Sequence, residues 1–250
     1  MTSESKIKRK EVIGDCTLYL GDCRDIIPTL EKVDAIVTDP PYGIGFKYES
    51  GREKAKTPQE YWEWYKPIHK AYMDKLKDGG FWAVWHSGTY HRFLWEWYGE
   101  ETRIYIAAKN FVQLRPTAIN YAYDPVAIGY KKGERPLRPF SPPRSLDYSI
   151  GNTAGVISDP TREEKGHPTP KPLDQLCHIV ENFVLDGGTV LEPFMGSGTT
   201  GAACAKLGRK FIGCEIEPKY FDIACRRIEQ SYKQPDFFRT RPQEQEAMDV

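Results

Sequence analysis

One stretch, residues 188–217, limits the fold more than any other: GTVLEPFMGSGTTGAACAKLGRKFIGCEIE. A short apolar strand over 188–192 feeds Gly196-Ser197-Gly198. A helix of small residues runs from Thr199 to Gly208, and a second strand, 210–215, ends on Glu215, 17 residues beyond Gly198. Glycines let a ligand approach the backbone, and an acid at the end of the next strand is placed to take ribose hydroxyls, which is the geometry of a nucleotide-type site. Loops of this kind also close tight turns without binding anything. This one departs from the dinucleotide fingerprint, since Gly201 falls where the helix has begun, and it precedes no P-loop lysine.

The same alternation runs through the chain. Candidate strands lie at 17–21, 33–38, 80–86, 103–108, 123–131, 188–192 and 210–215, with helical stretches between them. The pattern predicts an α/β fold, a doubly wound and mostly parallel seven-stranded sheet covered on both faces. Thr57-Pro58-Gln59-Glu60 reads as a capping box with proline at the first helical position, after which Tyr61, Trp64, Tyr65, Ile68 and Tyr72 fall on one face. Pro67 is expected to kink or split that helix. Further helices are read from Pro172 to Asp186 and from Pro218 onward. At 250 residues the chain is expected to form one domain, 1–250. Zero formal net charge leaves a nucleic-acid partner open, because the distribution of charge over faces decides that. Six cysteines without a CxxC pair point to thiols in a reducing compartment, the five histidines show no ligand spacing, and no metal is expected. With a charged N-terminus and no run long enough to span a bilayer, the expected location is the cytoplasm, away from membranes.

A second unusual stretch is AIVTDPPYGIGF, residues 35–46. Neither proline can donate to a sheet ladder and each restricts the residue before it, so the strand must stop at Asp39 and a stiff loop must follow. TDPPYG (38–43) and LEPFMGSGTT (191–200) together resemble the catalytic and cofactor motifs of S-adenosylmethionine-dependent amino methyltransferases acting on DNA bases. HPTPKPLDQL (167–176) and LYLGDCRD (18–25) are similar to two further segments of that family, and catalytic loop first, cofactor loop last, is the order of its beta group. The resemblance covers residues 16–230, and its specificity resides in these four stretches.

That resemblance implies a Rossmann-like methyltransferase sheet with one antiparallel edge strand, 123–131, S-adenosylmethionine as cofactor, and Asp39, Pro40, Pro41 and Tyr42 as the catalytic set. The amino nitrogen of adenine is a poor nucleophile because its lone pair is delocalised into the ring. Asp39's carboxylate and the Pro40 carbonyl, each accepting one amine hydrogen, would favour a pyramidal nitrogen facing the sulfonium methyl. A target inside a duplex has to be rotated out, and Tyr42 offers a ring on which to stack it.

By the same resemblance Phe194, Gly196, Ser197, Gly198 and Thr199 shape the loop around the methionine part, with Glu192 near its amino group and Glu215 on the ribose. Asp22 and Cys23 are assigned to the adenine ring of the cofactor, Thr169 and Lys171 to the methionine carboxylate. The plainer alternatives stand beside these: Asp22 as a strand terminator, Lys171 as a solvated lysine, 168–172 as a helix entry. The strands ending at Asp39 and Glu192 are expected to be neighbours at the sheet's carboxyl edge.

For double-stranded DNA, the segment 131–166 sits where the family carries its target-recognition region, although it is short for that task. Arg135, Arg138 and Arg144 within it, and Lys47 and Arg52 after the catalytic loop, suit phosphates or guanine edges; each also reads as an ordinary exposed residue. The six tryptophans lie between 62 and 97, an aromatic excess from which a homodimer surface is expected. Adenine-N6 transfer is the leading reading, since Asp rather than Ser opens the tetrad. Cytosine-N4 transfer, RNA methylation and a noncatalytic nucleic-acid binder compete with it.

Overall fold

The computed structural model describes residues 6–43, 47–48, 51–52, 56–108, 123–133 and 171–233. Ten strands are found there: β1 (Arg9–Ile13), β2 (Cys16–Leu20), β3 (Val33–Thr38), β4 (Lys47–Tyr48), β5 (Gly51–Arg52), β6 (Leu76–Trp85), β7 (Arg103–Ala108), β8 (Tyr123–Tyr130), β9 (Thr189–Glu192) and β10 (Lys210–Glu215). The helices are α1 (Cys23–Ile26), α2 (Pro58–Lys75), α3 (Leu94–Tyr98), α4 (Leu173–Phe183), α5 (Thr199–Leu207) and α6 (Pro218–Lys233). Eight strands form one sheet in the order β1-β2-β10-β9-β3-β6-β8-β7. The five from β2 to β6 are mutually parallel, and β1 and β8 run against their neighbours.

Each central strand sends alternate side chains to opposite faces, which is what a sheet covered on both sides requires. Ala35, Val37, Phe81, Ala83, Trp85 and Val190 face a core closed by α4, α5 and α6, with Ile179, Ala203, Phe221 and Ile228 buried there. Ile36, Trp82, Val84 and Leu191 face the other core, where α1, α2 and α3 contribute Ile26, Tyr61, Tyr65, Tyr72, Leu94 and Trp97. The small residues of α5 allow close packing: a Cβ on Gly201 would stand 2.5 Å from Ile228 Cδ1 and 2.8 Å from a Phe211 ring carbon.

The expected α/β class holds, with two differences in detail. All seven expected strands are present, and β1 is an eighth. Its RKEVI sequence is mostly exposed, and charged residues on an edge strand mask the alternation by which a strand is usually read. The antiparallel strand β8 lies one place in from the edge, with β7 outside it, so the single antiparallel edge strand is corrected to two antiparallel members, β1 and β8. Pro67 does not split its helix: α2 is continuous over 18 residues. The turns on both sides are anchored by buried Tyr61, Tyr65, Ile68 and Tyr72, whose packing outweighs the one backbone hydrogen bond that proline forfeits. No described helix is long and apolar enough to cross a membrane.

The aromatic residues expected to form a dimer surface are used inside the molecule. Trp62 stacks on Trp97 with centroids 5.1 Å apart, Tyr61 on Tyr90 at 4.7 Å, and Trp82 on Tyr98 at 5.3 Å. Only Trp95 among the tryptophans is substantially exposed, so the aromatic excess is explained by packing between α2, α3 and the sheet.

Candidate active site

Because β2, β10, β9, β3 and β6 run the same way, their carboxyl ends share one edge. Reading across it, the residues at or just beyond the strand ends are Asp22, Glu215, Glu192, Asp39 and His86. β3 pairs with β9 through Ala35 opposite Val190 and Ile36 opposite Leu191, so the catalytic and glycine loops, more than 150 residues apart in sequence, leave adjacent strands. Since β8 is antiparallel, it begins at this edge, and the His86 N–H donates to the Pro125 carbonyl at 2.9 Å. That connection delivers Asp124, a residue the sequence reading did not single out.

The loop after β3 is tied in from three sides. Tyr42 Oη donates to Asp39 Oδ1 at 2.7 Å, and Tyr90 Oη donates to the Tyr42 carbonyl at 2.7 Å. Gly43, at φ +64°, turns the chain in the left-handed region, and its carbonyl accepts the Lys56 N–H at 2.7 Å. Lys171, just ahead of α4, places Nζ 3.1 Å from Asp39 Oδ2, 3.2 Å from Asp124 Oδ2 and 2.9 Å from Tyr42 Oη. Burial pushes the Asp39 carboxyl up, against the pull of the Lys171 ammonium and the Tyr42 hydroxyl. Burial alone would lower Lys171, but the Asp39 and Asp124 carboxylates outweigh it and hold the ammonium above its ordinary range. His86 is pushed down to about 3, chiefly by burial, and its Nε2 lies 2.6 Å from Tyr98 Oη, so it remains a neutral hydrogen-bonding group.

The other half of the edge has the features of a cofactor cradle. Gly196 and Gly198 have φ of +55° and +77°, and a Cβ on Gly198 would sit 2.7 Å from that of Ala224 on α6, so the loop closes tightly onto that helix. Glu215 joins the loop to the end of β10: Oε2 accepts Gly196 N–H at 2.7 Å, and Oε1 accepts those of Ile216 and Glu217 at 2.9 and 2.8 Å. Burial raises its carboxyl to about 7 despite those donors. Glu192 is buried and its Oε2 has no hydrogen-bond partner among the described residues; burial raises this carboxyl well above the usual range. An orphaned, buried carboxylate oxygen beside a glycine turn suits an ammonium, and the methionine part of S-adenosylmethionine carries one.

Several of the expected residues have partners within the protein. The hydroxyls of Ser197 and Thr199 are committed to Arg227, whose Nη1 donates to Ser197 Oγ at 2.7 Å, Thr199 Oγ1 at 2.8 Å and the Ser197 carbonyl at 3.0 Å. Phe194 packs toward α2, 6.3 Å from the Trp64 ring and 6.4 Å from that of Tyr65. Asp22 caps α1, accepting the Arg24 N–H at 2.9 Å and pairing with the Arg24 guanidinium, which lowers its carboxyl; Cys23 is buried next to it. Asp22 thus starts a helix rather than ending a strand, since β2 stops at Leu20, and it neighbours Glu215 through β2 and β10, where Leu20 is paired with Glu215.

Lys47 and Arg52 lie opposite each other in the small antiparallel ribbon β4–β5. Thr169, Arg135, Arg138 and Arg144, and all but the first three residues of the 131–166 segment, lie outside the described residues. Sequence reasoning missed Asp124, Tyr90 and Arg227. For Arg227 a signal existed, since helical spacing puts it on the face of α6 that carries Tyr220, Ala224 and Ile228, where a basic residue has to be buried.

Comparison with known proteins agrees with this geometry. The DNA methylase family model, of N6/N4 type, matches residues 33–226. YubD of Escherichia coli (strain K12) is 29% identical over 220 residues, covering 83% of this chain and 88% of its own length. The crystal structure of the M1.HpyAVI complex with SAM is 27% identical, with a TM-score of 0.56 over 85% of this chain and 99% of that one. PvuII DNA methyltransferase, cytosine-N4-specific, is 18% identical with a TM-score of 0.59 over 91% of this chain and 95% of its own, a likeness of fold.

Proposed function

Since the chain belongs to the N6/N4 DNA methylase family, we propose that it methylates the N6 amino group of adenine in a base turned out of double-stranded DNA. Transfer of a methyl group to an exocyclic amine of DNA is the activity of that family, and S-adenosylmethionine is its cofactor. The observation that carries the site assignment is the adjacency of β3 and β9, which brings Asp39 beside Glu192 and the glycine loop.

When bound, S-adenosylmethionine would supply an electrophilic methyl carbon for the amine's lone pair and a sulfur to take back the electrons of the S–C bond. Asp39 and the Pro40 carbonyl accept the two amine hydrogens, which draws the lone pair out of the ring before attack and stabilises the positive charge that develops on nitrogen. Asp39 does not have to be a strong base, because the nitrogen becomes acidic once alkylated and sheds its proton afterward. Tyr42 supplies a ring face for the extruded base, and stacking of this kind contributes about 1–3 kcal/mol, comparable with the cost of unstacking. Glu192 takes the ammonium and Glu215 the ribose hydroxyls, on a loop that Arg227 holds in shape. On the same reading, Lys47 and Arg52 of the β4–β5 ribbon and the arginines of 131–166 meet the DNA backbone, and the reaction takes place in the cytoplasm.

Asp as the first residue of the tetrad favours adenine over cytosine. Treating unmethylated DNA with the protein and methyl-labelled cofactor, then separating the nucleosides, tests this directly. Label in N6-methyldeoxyadenosine is expected. Label in N4-methyldeoxycytidine would move the assignment to the other amine; no label in DNA, with label appearing only when RNA is supplied in its place or not at all, would overturn it.

A further inference from the structure

We propose that Lys171 and Asp124 form a positioning pair for Asp39, with Lys171 fixing the carboxylate that receives the target amine and Asp124 keeping Lys171 from closing onto it. The inference rests on Asp39's part in the proposed function and assigns Lys171 to the transfer step, where the resemblance had assigned it to the methionine carboxylate.

An ammonium has three N–H donors, and Lys171 Nζ has three oxygens within reach: Asp39 Oδ2 at 3.1 Å, Asp124 Oδ2 at 3.2 Å and Tyr42 Oη at 2.9 Å. A cofactor carboxylate would have to displace one of them. All three acceptors belong to the catalytic half of the edge, and Asp39, Asp124 and Lys171 come from three separate elements: the loop after β3, the start of β8 and the entry to α4. The side chains of Asp124 and Lys171 are only 10% and 15% exposed, against 27% for Asp39, so the pair sits behind the carboxylate that faces outward.

Asp39 keeps room for substrate in this arrangement. A carboxylate offers about four lone-pair positions, and here Tyr42 Oη takes one on Oδ1 and Lys171 approaches Oδ2. Removing Lys171 would leave a half-buried carboxylate with one protein donor among the described residues, which favours the protonated form, and a protonated Asp39 accepts poorly from an amine. Removing Asp124 acts in the opposite sense. The ammonium, no longer shared between two carboxylates, would settle on Asp39 and compete with the amine for its oxygens. The two variants should thus both slow transfer while moving the titration of Asp39 in opposite directions, a pattern that general loss of packing does not produce. Electrostatics agree in sign: Lys171 lowers the Asp39 carboxyl and Asp124 raises it.

The test uses the full chain with 13C-labelled aspartate carboxyls, the Asp39 resonance being identified by its loss in Asp39→Asn. Its titration is followed in the wild type, Lys171→Met, Asp124→Asn and Lys171→Arg, and kcat against pH and the Kd for S-adenosylmethionine are measured for the same set. The midpoint of Asp39 should move up in Lys171→Met and down in Asp124→Asn, with kcat falling about 10- to 100-fold and the Kd nearly unchanged. Lys171→Arg, which retains the charge, should return the midpoint toward the wild-type value, and it keeps the test open if Lys171→Met does not fold. An unmoved midpoint in both first variants, or a weakened Kd with kcat at saturating cofactor retained, overturns the pairing. If the midpoints move as expected while the wild type labels no DNA, the proposed function fails and the pair loses its catalytic meaning.

Discussion

The hydroxyl of Tyr90 donates a 2.7 Å hydrogen bond to the main-chain carbonyl of Tyr42, so a residue from the 3-10 turn after β6 fixes the end of the catalytic loop. Tyr90 is itself held by stacking on Tyr61 of α2, centroids 4.7 Å apart. The aromatic core beneath the sheet edge thereby becomes a rigid support for the Asp39-Pro40-Pro41-Tyr42 turn. The prolines stiffen the turn from within, and Tyr90 pins it from outside.

Tyr90→Phe preserves the ring and removes the hydrogen bond. Unfolding free energy should fall by about 1 kcal/mol, the ordinary net contribution of such a bond. Transfer should slow by about tenfold or more, since catalysis by orientation is sensitive to small displacements. Denaturant unfolding and single-turnover kinetics measure the two effects separately; an unchanged transfer rate would remove Tyr90 from the support of the loop.

Arg227 is expected to act on cofactor binding. Its guanidinium meets three oxygens of Ser197 and Thr199 from within α6 and is 5% exposed, so Arg227→Met leaves those acceptors without their donor at the turn of the glycine loop. Stability should fall by about 2 kcal/mol, in the range for losing hydrogen bonds from a charged donor. The Kd for S-adenosylmethionine should weaken about tenfold while kcat at saturating cofactor is largely kept. Calorimetry alongside thermal unfolding distinguishes this outcome from one in which affinity is unaffected.

If Glu215 holds the ribose as proposed, cofactor binding should depend on pH. Burial raises its carboxyl to about 7, so the free protein holds it protonated below that pH. Ribose hydroxyls would donate to the ionised carboxylate, so bound cofactor should lower this pKa and binding on the acid side should expel a proton. Affinity should therefore rise as pH rises to about 7 and level off above it, by up to about tenfold per pH unit on the acid limb for one linked proton. Titration calorimetry in buffers of different ionisation enthalpy would detect the proton; a flat profile with no release would separate Glu215 from the ribose.

How far the sequence could be read depends on how each feature is encoded. The glycine turn and the double proline are local: backbone conformations demanded by a few adjacent residues, which is why the ends of β3 and β9 and their adjacency were legible. β1 was not, because its alternation is hidden by the charges that protect an edge. Pro67 misled as to continuity because the penalty of a helix proline is local, whereas the burial of Tyr61 and Tyr72 that offsets it is tertiary. Asp124 was invisible for a similar reason. Nothing in YDPV marks that carboxylate, and its place beside Lys171 follows from the antiparallel entry of β8 at the carboxyl edge. Lys171 was found by its motif, yet its three oxygen partners belong to the catalytic side, a distinction only three-dimensional pairing makes.

If Asp39 grips the amine while a separate cradle holds the cofactor, binding and transfer must be separable at this residue. The most direct measurement is of Asp39→Ala, with the Kd for S-adenosylmethionine and the single-turnover rate of methyl transfer to DNA determined on the same preparation. The Kd should stay close to that of the wild type and the transfer rate should fall by at least about 10²-fold. Transfer at the wild-type rate with the Asp39 carboxylate absent would contradict that grip.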